Sequence, residues 1–456
     1  MPYALGIDLG AARTTAAVSR NLRDGWSEPE VVPLDADTDR PGVASALFLT
    51  DEVVKVGEAA VRLGAAEPDR LARDFLDRIG DEVPISLGGR HYPAESLAAA
   101  LVAWVVDRAE TYEGSPATQL VVTHPVSWGA HRRSALQAAL RELNLPELTM
   151  LPRPVAAAEA HAAADRVEVG QEVAVYSLGA GRFEAAVLRR GAFGFELRTH
   201  ADSADVLGGS LFDDLLAEHT AAELGELPES PAALAELRAA CVDAKERLST
   251  AISVTIPAPP GSKKATVLVS RTDFDDLIRP VVEHTVQILR RTVESADDDA
   301  LRSVVLVGGC AHIPLIAELV SAAVRVRVVA ADDPTSAIAR GAALAGGRVA
   351  KPTVQAPPVT VTPAIAHTDL MRFDEIGPEI ADIGPPPPRP PVEIPALDPP
   401  ARGLARLTRR VRGGAEVDEL DRERHSWDFA DNGDRDLATD DPPRRRRRTD
   451  PDEDDE

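Results

Sequence analysis

Two segments of the same form, about 170 residues apart, constrain the fold of this chain more than any other feature of its sequence. Residues 4–19 (ALGIDLGAARTTAAVS) and residues 173–188 (VAVYSLGAGRFEAAVL) each read as an apolar run, an acidic or hydroxyl residue, a glycine turn and a second apolar run. Each pattern predicts a β-hairpin. Helical patterns occur at 94–111, 131–143, 211–224, 231–249 and 271–295. Strands mixed with helices, duplicated once, predict two α/β lobes around a cleft.

Composition argues against several classes of function. The net charge of -24 disfavours nucleic acid or an anionic membrane as a general partner. No apolar run is long enough to span a membrane, and the first residues lack the pattern of a secretory signal. Cys241 and Cys310 are far apart and form no CxxC pattern, which favours a reducing compartment. We therefore expect a cytoplasmic protein.

The composition changes near residue 350. The last predicted helix before this point, 335–345, is expected to close the second lobe against the strand at 303–307. Residues 349–456 are rich in proline and charge, so we expect a disordered tail. Within it, 385–391 (PPPPRPP) could dock an aromatic groove of a protein partner. A tail that only solubilises the chain is the alternative, and the acidic end beside the arginine run 444–448 would screen that run.

Six segments in order resemble the actin-like ATPase domain of the DnaK-type heat-shock-seventy chaperones. They are GIDLGAARTTAAV, the stretch from VVTHPVSWG to LPRPVAAAEAH, VAVYSLGAGRFEAAVL, VLGGSLFDDLL, CVDAKERLS and VVLVGGCAHIPLI. The resemblance covers about residues 3–348. It implies a two-lobed actin-like ATPase fold, with lobe I at 1–169 (insert about 41–111) and lobe II at 170–348 (insert about 210–300). It also implies chaperone-like nucleotide binding, but the chain after residue 350 shows no run of alternating strands for a peptide-clamping domain.

The same resemblance implies a site for an adenine nucleotide, ATP or ADP, and allows Mg²⁺ beside it. Glycine hairpins suit phosphate because backbone N–H groups can approach its oxygens closely. The implied phosphate-binding residues are Gly10, Ala11, Ala12, Gly179, Ala180, Gly181, Gly208 and Gly209. The implied adenosine-binding residues are Lys245, Ser249, Gly308, Gly309, Cys310 and His312. The sequence shows no pattern of metal-ligating residues, and the acids of FDDLL (212–216) are expected to face solvent.

The departures from the family pattern concern chemistry. Asp8 matches the first of two aspartates near the metal, but Ser177 stands at the second. Arg153 and Arg182 replace a glutamate and a threonine, and Leu76 occupies the position expected for the catalytic lysine. Because loss of one preorganised charge commonly costs on the order of 10²- to 10³-fold in rate, we expect weak or absent hydrolysis.

Two readings of these arginines remain open. In the first, they offset the lost metal charge and the site binds nucleotide without turning it over. In the second, they pair with Asp8 and Glu184, and the chain is a nucleotide-free scaffold that acts through its lobes and tail. On the adenosine side, Glu246 stands where the family has an arginine that stacks on the base.

Overall fold

The computed structural model describes residues 1–349, apart from residues 24, 36–39, 144, 146, 204–206, 226–229, 261, 263, 295 and 297–299. The predictions for the tail lie outside the described residues. Among those described, no helix is both long enough and apolar enough to cross a membrane.

The first lobe is built on one large sheet. Its strands, together with those of the insert that follows the first hairpin, are β1 (Tyr3–Leu9), β2 (Arg13–Leu22), β3 (Gly25–Trp26), β4 (Glu30–Val31), β5 (Val43–Ala44), β6 (Leu47–Leu49), β7 (Val54–Val56), β8 (Leu71–Ala72), β9 (Ile85–Leu87), β10 (Arg90–Tyr92), β11 (Gln119–His124) and β12 (Glu147–Pro152). Its helices are α1 (Glu58–Gly64), α2 (Ala94–Glu113), α3 (Ala130–Arg141) and α4 (Arg153–Ala164), with 3₁₀ turns at Pro68–Arg70 and Phe75–Arg78. The main sheet runs β12-β11-β1-β2-β3, with β4 and β5 also pairing with β2.

The second lobe repeats this plan. Its strands are β13 (Glu172–Leu178), β14 (Phe183–Arg190), β15 (Phe195–Asp202), β16 (Ser253–Pro257), β17 (Thr266–Ser270), β18 (Leu301–Val307) and β19 (Arg327–Ala330). Its helices are α5 (Gly209–Leu224), α6 (Pro231–Leu248), α7 (Arg271–Val293), α8 (Pro314–Ala323) and α9 (Ala337–Val349), with a 3₁₀ turn at Gly309–His312. The main sheet runs β15-β14-β13-β18-β19, and β16 pairs with β17 in a separate ribbon.

The predicted duplication is confirmed by the pairing of the strands. In each lobe an antiparallel hairpin, β1–β2 or β13–β14, lies beside a parallel strand, β11 or β18. Every residue of β1 and of β13 is buried, which explains why both read as continuous apolar runs. The register sets Asp8 opposite Thr15 and Ser177 opposite Glu184. Each hairpin therefore brings its acidic or hydroxyl residue to the end of a buried strand.

The final helix does not pack as the sequence suggested. The prediction that it closes the second lobe is wrong for most of its length, because α9 lies on the sheet of the first lobe. A Cβ on Gly6 of β1 would lie 2.4 Å from the Ala339 carbonyl oxygen, and Ala17 forms a small buried cluster with Ala339 and Ala343. Small residues on both surfaces allow this close approach. Ala337, Ile338 and Ala342 of α9 also join the apolar cluster that contains Val305 and Val307 of β18.

Candidate functional site

The tips of the two hairpins face each other across the lobes. A Cβ on Gly181 would lie 3.2 Å from the Cβ of Ala11, so a side chain there would require a shift of a few tenths of an ångström. Within the part of the chain that the structure describes, the amides of Ala11, Ala12, Ala180 and Gly181 donate to no protein acceptor. Unpaired backbone amides on turns are the groups that bind anions without charged side chains. The structure thus brings together the hairpin residues predicted to bind phosphate.

The start of α5, at Gly208 and Gly209, was expected to bind an anion through free backbone amides. The structure shows that two of the amides there are already hydrogen-bonded within the protein. The amide of Gly209 donates to the Gly179 carbonyl at 2.9 Å, and that of Ser210 donates to the Ala180 carbonyl at 2.8 Å. A Cβ on Gly208 would lie 2.4 Å from the Ala180 oxygen. These glycines let α5 pack directly on the second hairpin, and the two amides are already satisfied.

Lys245 reaches the same place from α6. Its ammonium donates to the Gly209 carbonyl at 3.0 Å and lies 2.8 Å from the Asp213 carboxylate. Burial raises the pKa of Asp213, and the charge of Lys245 opposes that rise. The expectation that the acids of residues 212–216 face solvent is wrong for Asp213, because its pairing with Lys245 depends on the packing of α5 against α6. The sequence offered no local signal for this pair.

Cys310 lines the site beside this pair. Its thiol donates to the Gly179 carbonyl at 3.3 Å, and burial raises its pKa to about 11. The preceding Gly308 has a φ of +90°, and a Cβ there would lie 2.4 Å from the Leu178 carbonyl oxygen. By contrast, a Cβ on Gly309 would meet nothing within 4 Å. The backbone after β18 therefore borders open space at Gly309.

The two remaining residues predicted for the adenosine side lie nearby in the fold. Ser249 is the C-cap residue of α6, one turn after Lys245, and is half-buried. His312 is exposed and lies 3.3 Å from the Thr335 hydroxyl through its Nε2. At the rim, Glu246 forms an ion pair with Arg40 of the first lobe at 2.7 Å. Arg40 therefore pairs with Glu246, the residue that stands where the family has an arginine stacked on the base.

Asp8 is held by two donors at the end of β1. Its Oδ1 accepts from the Thr123 hydroxyl at 2.5 Å and from Arg153 Nε at 3.0 Å. Arg153, the first residue of α4, also donates to the Leu9 carbonyl. Burial alone would lower the pKa of Arg153, but the charges of Asp8 and Glu184 outweigh it and raise that pKa. The Arg153 guanidinium is therefore kept charged beside the turn of the first hairpin.

Glu184 links the lobes from the other side. It is 4% exposed on β14, and its Oε1 accepts from the Val126 amide of the first lobe at 2.9 Å. Burial raises the pKa of Glu184, and Arg153 opposes that rise. Ser177, opposite Glu184 in the hairpin, is also buried and brings no charge.

A second cross-lobe contact joins the tip of the second hairpin to the first lobe. Arg182 Nε lies 3.0 Å from Asp77 Oδ1, and both side chains are partly exposed. The neighbouring Leu76 is buried in the core of the first lobe. The position at which the sequence pattern expects a catalytic lysine is thus apolar and internal. Asp77 was missed because its partner is more than a hundred residues away in the chain.

The carboxylates do not fit a metal ion held by the protein. Within the described residues, no three His, Cys, Asp or Glu side chains lie together in a way that could hold one. Asp8 Oδ1 already accepts from two donors, one of them a cation, and Ser177 is neutral. Mg²⁺ prefers several oxygen ligands of high negative charge, which this donor set does not supply.

A comparison with known protein families agrees with this geometry. The family model described as Hsp70 protein matches residues 77–363, which is more than half of the chain. The match begins after the first hairpin, whose likeness rests on its own residues and on the repeated strand pairing. Hsp70 domains have the actin-like ATPase fold and bind adenine nucleotides, generally with Mg²⁺. The duplicated sheets, facing glycine hairpins and family match lead to one conclusion: this chain belongs to the Hsp70 family.

Proposed function

We propose that this chain binds ATP or ADP between its two lobes and hydrolyses it weakly or not at all. The observation that carries the proposal is the set of unpaired amides on the facing hairpin tips, at Ala11, Ala12, Ala180 and Gly181. Amides in such turns bind phosphate oxygens without charged side chains. The open space at Gly309 would take the adenosine, beside Lys245 and Ser249.

The charges around the tips support slow or absent hydrolysis. Phosphoryl transfer needs a positioned water and cations that stabilise the developing charge. Here Asp8 is engaged by Arg153, the second acidic position holds Ser177, and Leu76 is buried in the core. Each missing group commonly costs on the order of 10²- to 10³-fold in rate, so little turnover would remain.

Nucleotide would then act as a regulator of shape. Contacts between the lobes, such as Arg182–Asp77 and Arg40–Glu246, would break or form as the cleft changes. A protein partner would recognise the resulting surface. We infer a cytoplasmic location because Cys241 and Cys310 are both free and buried, as is usual in a reducing compartment.

The second candidate is a nucleotide-free scaffold. It is favoured by the ion pairs Asp8–Arg153, Asp77–Arg182 and Asp213–Lys245, which satisfy the charged groups of the cleft without a ligand. In this case the lobes would act as a rigid body.

Thermal denaturation with ADP or ATP separates the two. A ligand that binds only the folded state raises the melting temperature, by mass action. The Gly309→Val variant should fold, because its side chain enters open space and its φ is ordinary, but it should lose the rise. Gly129→Val is the matched control, since a Cβ there also meets nothing within 4 Å. Absence of any rise in the wild type at millimolar nucleotide would leave the scaffold as the function.

A further inference from the structure

We infer that the guanidinium of Arg153 takes the place of the divalent cation, so that the chain binds its adenine nucleotide without a metal ion. This inference rests on nucleotide binding in the cleft, as proposed above. Arg153 lies at the turn end of the first hairpin, and the ligand is a nucleotide whose phosphates carry no bound metal.

Arg153 is held in a fixed position by groups of both lobes. It stands at the start of α4, where the helix dipole disfavours a cation, so other groups must hold it there. Asp8 accepts from its Nε at 3.0 Å, and the Leu9 carbonyl, immediately before the tip at Gly10, accepts from its Nη2. Glu184 acts on it through its charge from the second lobe. A fixed positive charge thus lies at the turn end of the first hairpin, close enough to Glu184 of the second hairpin for their charges to interact.

The positive charge of Arg153 would repel a metal ion at Asp8. A metal ion bound to the Asp8 carboxylate would share it with the Arg153 guanidinium, which is hydrogen-bonded to Oδ1. A divalent cation there would lie a few ångströms from that guanidinium in a mostly buried site, where charges repel more strongly than in water. The arginine and a metal ion therefore exclude one another at Asp8.

Arg153 also has hydrogen-bond donors left for a phosphate. A guanidinium has five N–H donors in a rigid fork that matches phosphate geometry. Among the described residues, its Nη1 donates to no acceptor, and its side chain is 14% exposed. That donor can meet a phosphate oxygen held by the hairpin amides. Arg182 is less suited to this role, because it is more exposed and pairs with Asp77.

The test is calorimetric titration of the full chain with ADP, once with Mg²⁺ and once with EDTA. We expect the wild-type dissociation constants in the two buffers to agree within about threefold. An affinity at least tenfold weaker in EDTA would overturn the inference and leave the proposed function standing. No binding in either buffer would instead remove the proposed function, and this inference with it.

Variants identify the residue. Charge-assisted hydrogen bonds are the stronger class, so Arg153→Gln should weaken ADP binding at least tenfold in EDTA, and Arg153→Lys should bind more tightly than Arg153→Gln. Arg20→Gln is the matched control, because Arg20 is a partly buried arginine paired with Glu113 away from the cleft. It should bind as the wild type does. Wild-type affinity in Arg153→Gln would contradict the assignment. If Arg153→Gln fails to fold, the wild-type titrations and Arg153→Lys still decide.

Discussion

The two ends of the cleft differ in where their contacts come from. At the phosphate end, which comprises the hairpin tips with Asp8, Arg153 and Glu184, side chains and backbone of both lobes meet. At the adenosine end, which comprises Lys245, Asp213 and the turn at Gly308–Gly309, the buried contacts lie within the second lobe, and the exposed pairs of Arg40 with Glu246 and Asp243 reach the first lobe at the rim. The sequence departs from the family pattern mainly at the first of these ends.

Because their contacts differ, the two ends of the cleft should respond differently to a bound nucleotide. At the adenosine end a nucleotide would compete with one buried lysine–aspartate pair inside a single lobe, and the cross-lobe pair at its rim, Arg40–Glu246, is exposed and therefore weak. At the phosphate end it would meet a charge network that joins the two lobes. We therefore expect the adenosine end to set affinity for the base and the phosphate end to couple binding to the closure of the lobes.

The largest expected effect is on stability at the phosphate end. Asp8→Ala leaves the Arg153 guanidinium mostly buried without its main partner. Breaking a buried pair on one side commonly costs about 3 kcal/mol or more in the free energy of unfolding. Asp77→Ala removes the partner of the more exposed Arg182 and should cost at most about 1 kcal/mol. Urea denaturation of both variants measures the difference.

The double variant Asp8→Ala with Arg153→Met is the control for this prediction. It removes the stranded charge, so it should recover a large part of the stability lost in Asp8→Ala. Equal losses in Asp8→Ala and Asp77→Ala would mean that the Asp8–Arg153 pair is no more buried in solution than the exposed Arg182–Asp77 pair, and the account of a buried charge network at the phosphate end would fail.

A smaller effect is expected at the rim of the adenosine end. Glu246→Arg breaks the ion pair with Arg40 and puts a guanidinium where the family stacks one on the base. Such a contact is worth about 0.5–1 kcal/mol at an exposed site, so ADP affinity should rise about two- to fivefold. Calorimetry measures it directly.

Asp243→Arg is the matched variant, because Asp243 also faces Arg40, at 3.8 Å, but lies one turn earlier on α6. It removes the same kind of charge without putting an arginine at the base. Its affinity for ADP should stay close to that of the wild type. A similar rise in both variants would assign the effect to the loss of the cross-lobe pairs rather than to stacking.

The sequence predicts the parts of this molecule that depend on local pattern. The buried hairpin strands read as apolar runs, and the glycine turns mark the tips, so the repeated α/β plan follows from them. The family resemblance, and not the local pattern, implied that Ala11 and Gly181 belong to one site. Pairings between distant segments were not predictable in this way. Asp213 with Lys245 and Asp77 with Arg182 depend on how helices and lobes pack, and α9 packs on the first lobe because of small residues on a surface far away in sequence.

Hydrogen exchange of the backbone amides, followed with and without saturating ADP, tests the central claim most directly. The claim is that the unpaired amides of the two facing tips bind the phosphates. The account predicts slower exchange at Ala11, Ala12, Ala180 and Gly181 when ADP is present, in both hairpins together. Unchanged exchange at these four amides under conditions in which ADP is bound, or protection confined to one hairpin, would contradict it.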